Sequence, residues 1–360
     1  MKILEARVFE YCLPLTQPLN LMGTEMRDRR GFLLEFRDAT VNCGFGEIAP
    51  FPGLHSEKLS SAAEQLRQVC SLWPGGKSFN NLDEFSKFVS SNFSENKHLA
   101  PSVLFGLEMA YLNLRAATAK KTVAKILNSD ARQTISVNGL LTGVSAGIDA
   151  EIERIIAEKY TAVKMKVGRA DTDTELEWIA NVSKKLPTTV SLRLDANRRW
   201  TLPEAVAYGK LSGIERIEYI EEPLQNPADL AEFHRQTGLP LALDESLNGA
   251  DLENFQIPEG TVAFILKPSV LGISGTLRWA EFANKNDVSV VISSAFESGL
   301  GLAMLANIAA AVNVADVPSG LDTWRWLASD IISSRFSVNM GKYHISKPVL
   351  PEMAILTRKF

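Results

Sequence analysis

Short apolar runs recur at regular distances through the middle of the chain. They read TAVKMK, VSLRLD, RIEYIE, LALD and VAFILK, and successive runs end 29, 26, 23 and 23 residues apart. Each interval leaves room for one helix and two short loops, which is the length of a repeating unit of one β-strand and one α-helix. Because parallel strands joined by helices close into barrels, this spacing predicts a modified TIM barrel. The five runs end at Lys166, Asp195, Glu221, Asp244 and Lys267.

Three further apolar runs supply the remaining barrel strands. ISVNGLL at 135–141 is the expected first strand, and VSVVISS, which ends near residue 294, is the expected seventh. A weaker candidate for the eighth is VADVPSGLD, which ends near Asp322. The sequence therefore predicts an α/β fold in which a (β/α)7β barrel occupies residues 126–330.

The chain before the barrel has a different pattern. Alternating apolar residues in KILEARVFEYCLPL, GFLLEFRD and VNCGFGEIAP predict an antiparallel meander, and a helical period begins after Glu57. We therefore expect an α+β capping domain over residues 1–125. The tail at 331–360 is strand-like and turn-like, and we expect it to pack back toward the cap.

Two polar segments of the cap are predicted to be loops over the mouth of the barrel. LNLMGTEMRDRR at 19–30 is too long and too polar for a tight turn, and APFPGLHSE at 49–57 contains two prolines. Long loops in compact domains are often functional. We expect residues 17–28 to select the substrate.

Composition narrows the class of protein without identifying it. The 360 residues are 46% hydrophobic and 22% charged, with a net charge of -4 and scattered lysines, which argues against binding of nucleic acid. No run approaches the ~18 apolar residues of a membrane span, and no signal peptide is expected. Three cysteines without metal-ligand spacing suit a reducing cytoplasm.

The carboxylates at the strand ends predict a metal site. Asp195, Glu221 and Asp244 would lie on adjacent strands, where three like charges need a counter-ion. Ligation by oxygen alone favours Mg²⁺, with Mn²⁺ as an alternative. Salt bridges to neighbouring lysines are the structural alternative to a metal.

The lysines predict acid–base chemistry. Side chains alternate along a strand, so Lys164 and Lys166 both point into the barrel. Lys166 and Lys267 would come from opposite sides of the mouth, with an amine on each side of the α-carbon of a bound carboxylate. A desolvated lysine can act as a base, and a second ammonium can stabilise the resulting enediolate.

With these residues in view, the chain resembles the enolase superfamily and, within its muconate-lactonizing-enzyme-like subgroup, the o-succinylbenzoate synthase family. The resemblance implies Lys166 as the general base and Lys267 as the stabilising lysine. It implies that Glu222 faces away from the site. It also implies metal ligands at Asp195, Glu221 and Asp244, with Lys164, Arg193, Asn197 and Ser293 as substrate-binding or supporting residues. The matching segments are GFGEIAPFPGL, VKMKVG, LRLDANRRW, YIEEPL, LDESL, ILKPSVLG, VISSAFESGLGL and PSGLDTW.

The activity implied by this resemblance is a metal-dependent syn dehydration in menaquinone biosynthesis. Its substrate is a small-molecule carboxylate, 2-succinyl-6-hydroxy-2,4-cyclohexadiene-1-carboxylate, and its product is 2-succinylbenzoate. The alternatives are a racemase of N-acylamino acids, a dipeptide epimerase and, third, a muconate-type cycloisomerase. GLDTW offers only Asp322 where dipeptide epimerases carry two aspartates, which disfavours the epimerase. A catalytically silent barrel that binds a metal or a partner is the non-enzymatic alternative.

Overall fold

Two kinds of sheet build the molecule, an antiparallel one in the cap and a parallel one in the barrel. The computed structural model describes residues 1–21, 24–40, 42–93, 99–142, 147–211, 216–313 and 315–360. The strands are β1 (Lys2–Ile3), β2 (Glu5–Leu21), β3 (Thr24–Arg37), β4 (Cys43–Ile48), β5 (Lys77–Ser78), β6 (Thr134–Ser136), β7 (Gly139–Leu141), β8 (Ala162–Lys166), β9 (Ser191–Asp195), β10 (Ile217–Glu221), β11 (Leu241–Leu243), β12 (Thr261–Leu266), β13 (Ser289–Ile292), β14 (Lys342–His344) and β15 (Thr357–Arg358). The helices are α1 (Leu59–Cys70), α2 (Leu82–Ser91), α3 (Pro101–Ala119), α4 (Val123–Leu127), α5 (Ile148–Ala157), α6 (Thr172–Lys185), α7 (Leu202–Leu211), α8 (Leu230–Thr237), α9 (Pro268–Leu271), α10 (Ile273–Lys285) and α11 (Gly299–Val312).

The cap sheet packs unusually close to α3. Its strand order is β15-β2-β3-β4, and β4 lies against the helix. A Cβ atom on Gly46 would lie 1.8 Å from the carbonyl oxygen of Gly106, and one on Gly106 would lie 2.4 Å from Cγ1 of Ile48. Any side chain at either glycine would push the helix away from the sheet. Close packing of the sheet against the helix thus explains glycine at positions 46 and 106.

The predicted loop at 19–30 is wrong, because this segment continues the hairpin of β2 and β3. Pairing extends to Leu19 with Met26 and Leu21 with Thr24, whereas Met22 and Gly23 lie outside the described residues. The polar residues do not prevent a strand, because charged side chains two positions apart share a face. Two such pairs form here, Arg27 with Glu25 at 2.5 Å and Arg30 with Asp28 at 2.7 Å.

The barrel is built from seven parallel strands in the order β13-β12-β11-β10-β9-β8-β7. The gap between its two edge strands is closed by the segment predicted as the eighth strand. Ser319 bridges to Val137 and Gly320 bridges to Ser293, both in parallel orientation. The (β/α)7β barrel with an α+β cap is therefore confirmed, with an eighth strand reduced to two bridges. Among the described helices, none is long and apolar enough to cross a bilayer.

The alternation of side chains along the barrel strands is as predicted. Phe264 and Leu266 of β12 belong to the large core beneath the helices, whereas Ile265 between them belongs to a separate small cluster. Ala263 shares this face of β12, and the other members come from β10, β11 and β13, so the cluster is the apolar filling of the barrel interior. Its members are Tyr219, Ala242, Ala263, Ile265 and Val291.

Two buried carboxylates of the cap reach helices of the barrel. Glu47 of β4 accepts hydrogen bonds from the backbone N–H (2.9 Å) and the hydroxyl (2.7 Å) of Ser298, the residue before α11. Glu108 of α3 accepts from the backbone N–H groups of Ile273 and Ser274, at the start of α10. Each satisfies N–H groups that have no partner within their own helix. The tail contacts both units, since β14 pairs with β6 and β15 pairs with β2.

Candidate active site

The charged residues at the strand ends are brought together at one end of the barrel. Lys166, Asp195 and Glu221 are the last residues of three neighbouring strands, paired in register. Asp244 and Lys267 lie one residue beyond β11 and β12, slightly later than the sequence pattern indicates. The five side chains thus line the carboxyl-end face, where barrels of this kind carry their sites.

Lys164 is held between two carboxylates. Its Nζ lies 2.9 Å from Oδ2 of Asp195 and 2.8 Å from Glu221. Burial disfavours its charged form, but these two carboxylates outweigh burial and hold the pKa of Lys164 well above its ordinary value. Lys164 is therefore a fixed positive charge in the lining of the cavity and has no proton to exchange near neutral pH.

Lys267 forms an ion pair with Asp244. Burial again works against the ammonium, yet the nearby charges of Asp244 and Glu221 raise the pKa of Lys267. It therefore presents a positive charge to the cavity from the side of β12.

Lys166 differs from the other two lysines. Its side chain is 38% exposed, and its Nζ donates to Oδ1 of Asn197 at 2.7 Å while remaining 3.9 Å from Asp195. Burial lowers the pKa of Lys166, and the attraction of Asp195 offsets this only in part, with Lys164 lowering it further. Among these three lysines, Lys166 is the one best placed to release and take up a proton.

The carboxylates of Asp195, Glu221 and Asp244 are almost fully buried. Burial and the neighbouring charge of Asp195 raise the pKa of Glu221 well above its ordinary value. The pKa of Asp195 is lowered, because Lys164 and Lys166 together outweigh the effect of burial. With the neighbouring Glu245, four carboxylates face the three ammonium groups of Lys164, Lys166 and Lys267, which leaves room for a further positive charge.

These three carboxylates are the residues that could hold a metal. The ligand atoms would all be oxygen, and both oxygens of Glu221 now lie 2.8 Å from Nζ of Lys164. As they stand, the described residues contain no group of three His, Cys, Asp or Glu side chains arranged to hold an ion. Lys164 and Lys267 occupy carboxylate oxygens that a cation would take. The chemistry of the donor set and its excess negative charge fit a hard divalent cation.

Glu222 supports this arrangement from outside the barrel. Its backbone takes a positive φ of 41°, and its carboxylate accepts from the backbone N–H groups of Asp244 (3.0 Å) and Ser246 (2.6 Å). Arg198 donates to the same carboxylate at 2.9 Å. Glu222 therefore fixes the loop that carries Asp244, and it does not face the cavity.

Arg193 lies beneath the cavity and does not line it. It is fully buried and donates to both oxygens of Glu218, at 2.8 Å and 3.0 Å, and to the carbonyl oxygen of Pro318 at 2.7 Å. A fourth hydrogen bond, at 3.2 Å, reaches Oδ1 of Asn138. Arg193 thus ties β9 to β10 and to the segment that closes the barrel.

A cavity of about 720 Å³ opens above these residues, between the barrel and the cap loop at 51–54. Ser293 and Asn197, which the sequence resemblance implies as substrate-binding or supporting residues, line it. Other lining residues come from separate strands and loops, which only the fold brings together. They include Phe51, Leu140, Arg199, Glu245, Ser294, Phe296 and Thr323.

The cap loop over the cavity is held by a histidine. Nδ1 of His55 accepts the backbone N–H of Phe51 at 3.0 Å, so its proton is on Nε2, which donates to the carbonyl oxygen of Ser269 at 2.9 Å. Burial lowers the pKa of His55 and favours this neutral form. The ring of Phe51 also stacks on Phe296 of the barrel, with centroids 5.3 Å apart.

Arg29 fastens the same loop from the strand that was predicted to be a loop. Its guanidinium is 2% exposed and donates to the carbonyl oxygens of Pro50 and Phe296, both at 3.0 Å. It also contacts the carbonyl oxygens of Ala49 and Ala295. One buried cation therefore joins β3, the cap loop and the barrel.

Asp322 is fully engaged with protein groups. Its carboxylate accepts from the hydroxyl of Tyr160 at 2.7 Å, from Arg325 at 2.9 Å and from Arg154 at 3.2 Å. Two guanidinium groups thus neutralise it. This leaves it poorly suited to bind the ammonium group of a ligand.

Comparison with known proteins agrees with this architecture. Residues 147–349 match the model of the enolase C-terminal domain-like family, and residues 3–114 match that of the MenC N-terminal domain. The fold is similar to that of a muconate lactonizing enzyme from Pseudomonas fluorescens, with a TM-score of 0.84 and 20% identity over 99% of both chains. The capped barrel with its acidic and basic strand ends is that of the enolase superfamily.

Curated relatives narrow the class further. An o-succinylbenzoate synthase from Yersinia pseudotuberculosis is 31% identical over 331 residues, which are 91% of this chain and 92% of that protein. The protein PHYLLO of Arabidopsis thaliana is 32% identical over 351 residues, which include 88% of this chain. This chain spans only 20% of the length of PHYLLO. The chain belongs to the o-succinylbenzoate synthase family and is an enzyme of the carbon–oxygen lyase class.

Proposed function

We propose that this enzyme dehydrates 2-succinyl-6-hydroxy-2,4-cyclohexadiene-1-carboxylate to 2-succinylbenzoate. The observation that carries the proposal is the contrast among three lysines at one cavity. Lys164 and Lys267 are paired with buried carboxylates, whereas Lys166 is partly exposed and its pKa is lowered. A base next to two fixed positive charges suits removal of a proton from the carbon beside a carboxylate.

In this proposal Lys166 acts twice. Its neutral amine takes the proton from the ring carbon that bears the carboxylate, and the electrons of that C–H bond enter the carboxylate as an enediolate. The C–O bond at the neighbouring carbon then breaks, and the ammonium of Lys166 gives its proton to the departing hydroxyl, which leaves as water. Because one amine serves both steps, hydrogen and hydroxyl leave from the same face.

The other residues hold the substrate and its developing charge. Lys267 presents its ammonium from β12, across the mouth from Lys166 on β8, where it stabilises negative charge on the carboxylate. Asn197 holds the amine of Lys166 through a hydrogen bond of 2.7 Å. Ser293 lines the cavity and offers a hydroxyl to a substrate carboxylate. Lys164 and Arg193 support the site from below.

We further propose that Asp195, Glu221 and Asp244 hold Mg²⁺, which Mn²⁺ can replace. When bound, the cation offsets the excess of carboxylates and draws electrons from the substrate carboxylate, which acidifies the adjacent carbon. The burial of these three carboxylates at one end of the barrel and their all-oxygen donor set support this assignment. The carboxylates would exchange contacts with Lys164 and Lys267 for contacts with the cation.

The alternatives are less well supported by the contacts of this chain. A dipeptide epimerase needs a free carboxylate for the ammonium of its substrate, and Asp322 is bound by Arg154 and Arg325. A racemase of N-acylamino acids would use the same two lysines and stays the second candidate. A cycloisomerase remains third. A catalytically silent barrel would lack a base or a ligand, whereas this chain has a candidate base in Lys166 and candidate ligands in three carboxylates.

The domains and the cellular role follow as parts of the same proposal. Residues 1–125 would cap the cavity, residues 126–330 would carry the chemistry, and residues 331–360 would join the two. The reaction would serve menaquinone biosynthesis in the cytoplasm, on a small-molecule carboxylate and without a nucleic-acid or membrane partner.

A parallel assay tests the proposal. The purified enzyme with Mg²⁺ is given the cyclohexadiene carboxylate in one set of reactions and a panel of N-succinylamino acids in another. Formation of 2-succinylbenzoate without racemisation is the expected result. Racemisation without dehydration would replace the proposal by the second candidate, and activity in neither assay would reject both.

A further inference from the structure

A chain of hydrogen bonds connects Glu245 to the amine of Lys166. Oε1 of Glu245 accepts from Nδ2 of Asn197 at 3.1 Å, and Oδ1 of Asn197 accepts from Nζ of Lys166 at 2.7 Å. A lysine ammonium can only donate, so the amide of Asn197 must turn its oxygen toward Lys166. Its NH₂ group then points away and needs an acceptor, which Glu245 supplies.

The backbone of Asn197 is fixed independently of its side chain. Asn197 and the following Arg198 both have positive φ, 44° and 58°, which is an uncommon conformation for residues other than glycine. The N–H of Asn197 donates to Oδ1 of Asp195 at 3.1 Å, and that of Arg198 donates to the carbonyl oxygen of Glu222 at 2.7 Å. With the backbone held, what remains to be set is the rotation of the amide.

Glu245 is well placed to set that rotation. It follows Asp244 directly and lines the same cavity as Asn197 and Lys166. Its second carboxylate oxygen, Oε2, is buried and makes no hydrogen bond within the described part of the chain. The hydrogen bond to Asn197 is therefore the contact through which this side chain acts on the site.

We propose that Glu245 is a positioning residue, which orients the amide of Asn197 and thereby holds the amine of Lys166 at the cavity. Without the acceptor, no hydrogen bond from the NH₂ group to Glu245 favours one orientation of the Asn197 amide. In the opposite orientation the NH₂ group would face the amine of Lys166. Lys166 would then spend less of its time in the position from which it reaches the substrate. The inference rests on the proposed role of Lys166 as the base.

The test compares Glu245→Leu, which removes the acceptor at similar volume, with Glu245→Gln, which keeps an acceptor oxygen. The Glu245→Leu variant should have a kcat about 10- to 100-fold lower than the wild type, as loss of an orienting contact commonly causes. KM and Mg²⁺ affinity should change little, and Gln should retain most of kcat. Glu253→Leu, at an exposed carboxylate of the same loop region, is the matched control and should match the wild type. Glu245→Ala replaces the Leu variant if the latter does not fold.

A double-mutant cycle shows whether Glu245 acts through Asn197. In the background of Asn197→Ala, Glu245→Leu should cause little further loss of kcat, because the amide it would orient is gone. Full additivity of the two losses, or a Glu245→Leu variant with wild-type kcat, would overturn the inference.

Crystal structures of the wild type and Glu245→Leu give a readout that does not need turnover. We expect the Asn197 amide to leave Lys166 in the variant. If the contact between Asn197 and Lys166 is unchanged in the Glu245→Leu structure, the inference is overturned, whichever reaction the enzyme catalyses. Conversely, a wild type that racemises and does not dehydrate, together with a displaced amide in the variant, rejects the proposed reaction and keeps the positioning role.

Discussion

The Nζ of Lys166 lies 3.9 Å from Oδ2 of Asp195, which is beyond hydrogen-bond distance, whereas Lys164 reaches the same oxygen at 2.9 Å. The two lysines share one face of β8, yet only Lys164 is fixed in close ion pairs. The difference arises because Lys166 stands at the end of the strand, where its amine turns to Asn197. Lys164 is thus a permanent cation, whereas Lys166, two residues later on the same strand, is suited to proton transfer.

Replacing Lys166 by alanine should remove the base without damaging the site below it. We expect kcat to fall by about 10²- to 10⁴-fold, the usual contribution of general acid–base catalysis. Thermal stability and Mg²⁺ affinity should stay close to those of the wild type, because Lys166 makes no close ion pair with the carboxylates. Steady-state kinetics, thermal unfolding and calorimetric titration with Mg²⁺ measure these quantities. Lys185→Ala, at an exposed ion pair, is the control, and substantial dehydration by Lys166→Ala would remove this residue from the role of base.

Replacing Glu221 by glutamine should weaken the binding of the divalent cation. The change removes one negative charge and keeps the shape of the side chain, so loss of affinity reports ligation. In the wild type, chelation should abolish turnover, and Mg²⁺ or Mn²⁺ should restore it. An enzyme that stays active in excess chelator would contradict metal dependence, and unchanged Mg²⁺ affinity in the variant would contradict the assigned ligand.

Replacing Arg193 by methionine should destabilise the barrel. Glu218 and the carbonyl oxygen of Pro318 would lose their donor, and the free energy of unfolding should fall by about 3 kcal/mol, the lower end of the range for a broken buried ion pair, since Glu218 is partly exposed. Lys87→Met, which breaks an exposed pair with Asp83, is the matched control and should cost about 1 kcal/mol or less. Chemical denaturation measures both, and equal effects would argue against a supporting role for Arg193.

The stability of the enzyme should depend on the protonation of His55. Because burial lowers the pKa of His55 from its ordinary value of 6.5, the folded state binds a proton less readily than the unfolded state. The contribution of neutral His55 to the free energy of unfolding is therefore fully present above pH ~6.5, the unfolded-state pKa. It is lost as the pH falls through the lower pKa of the folded state. Unfolding of the wild type and His55→Gln between pH 7 and 5 should show a smaller decline in the variant. His344→Gln, at an exposed histidine, should decline like the wild type, and parallel curves for all three would contradict the prediction.

The part of the molecule that was predicted correctly depends on short-range patterns. The spacing of apolar runs is set by the length of one strand and one helix, so the barrel strands could be found from sequence alone. The period of two along a strand separates Ile265 in the barrel interior from Phe264 and Leu266 outside it. Residues that end such runs are brought together by the fold itself.

Contacts between distant segments could not be predicted in this way. Arg29 lies in a charged stretch that resembles a surface loop, and its burial depends on carbonyl oxygens of Pro50 and Phe296. The link from Glu245 to Asn197 likewise joins residues 48 positions apart. No local period marks such residues, because their partners come from other strands and loops.

The two carboxylates that the cap inserts at the starts of α10 and α11 also restrict how a substrate can enter. Tilting the whole cap would remove from both helix starts the acceptors that Glu108 and Glu47 provide. The loop at 51–54 is held mainly by one histidine, one arginine and one ring stack. We therefore expect a substrate to enter by displacement of this loop alone, while the rest of the cap keeps its contacts with the barrel.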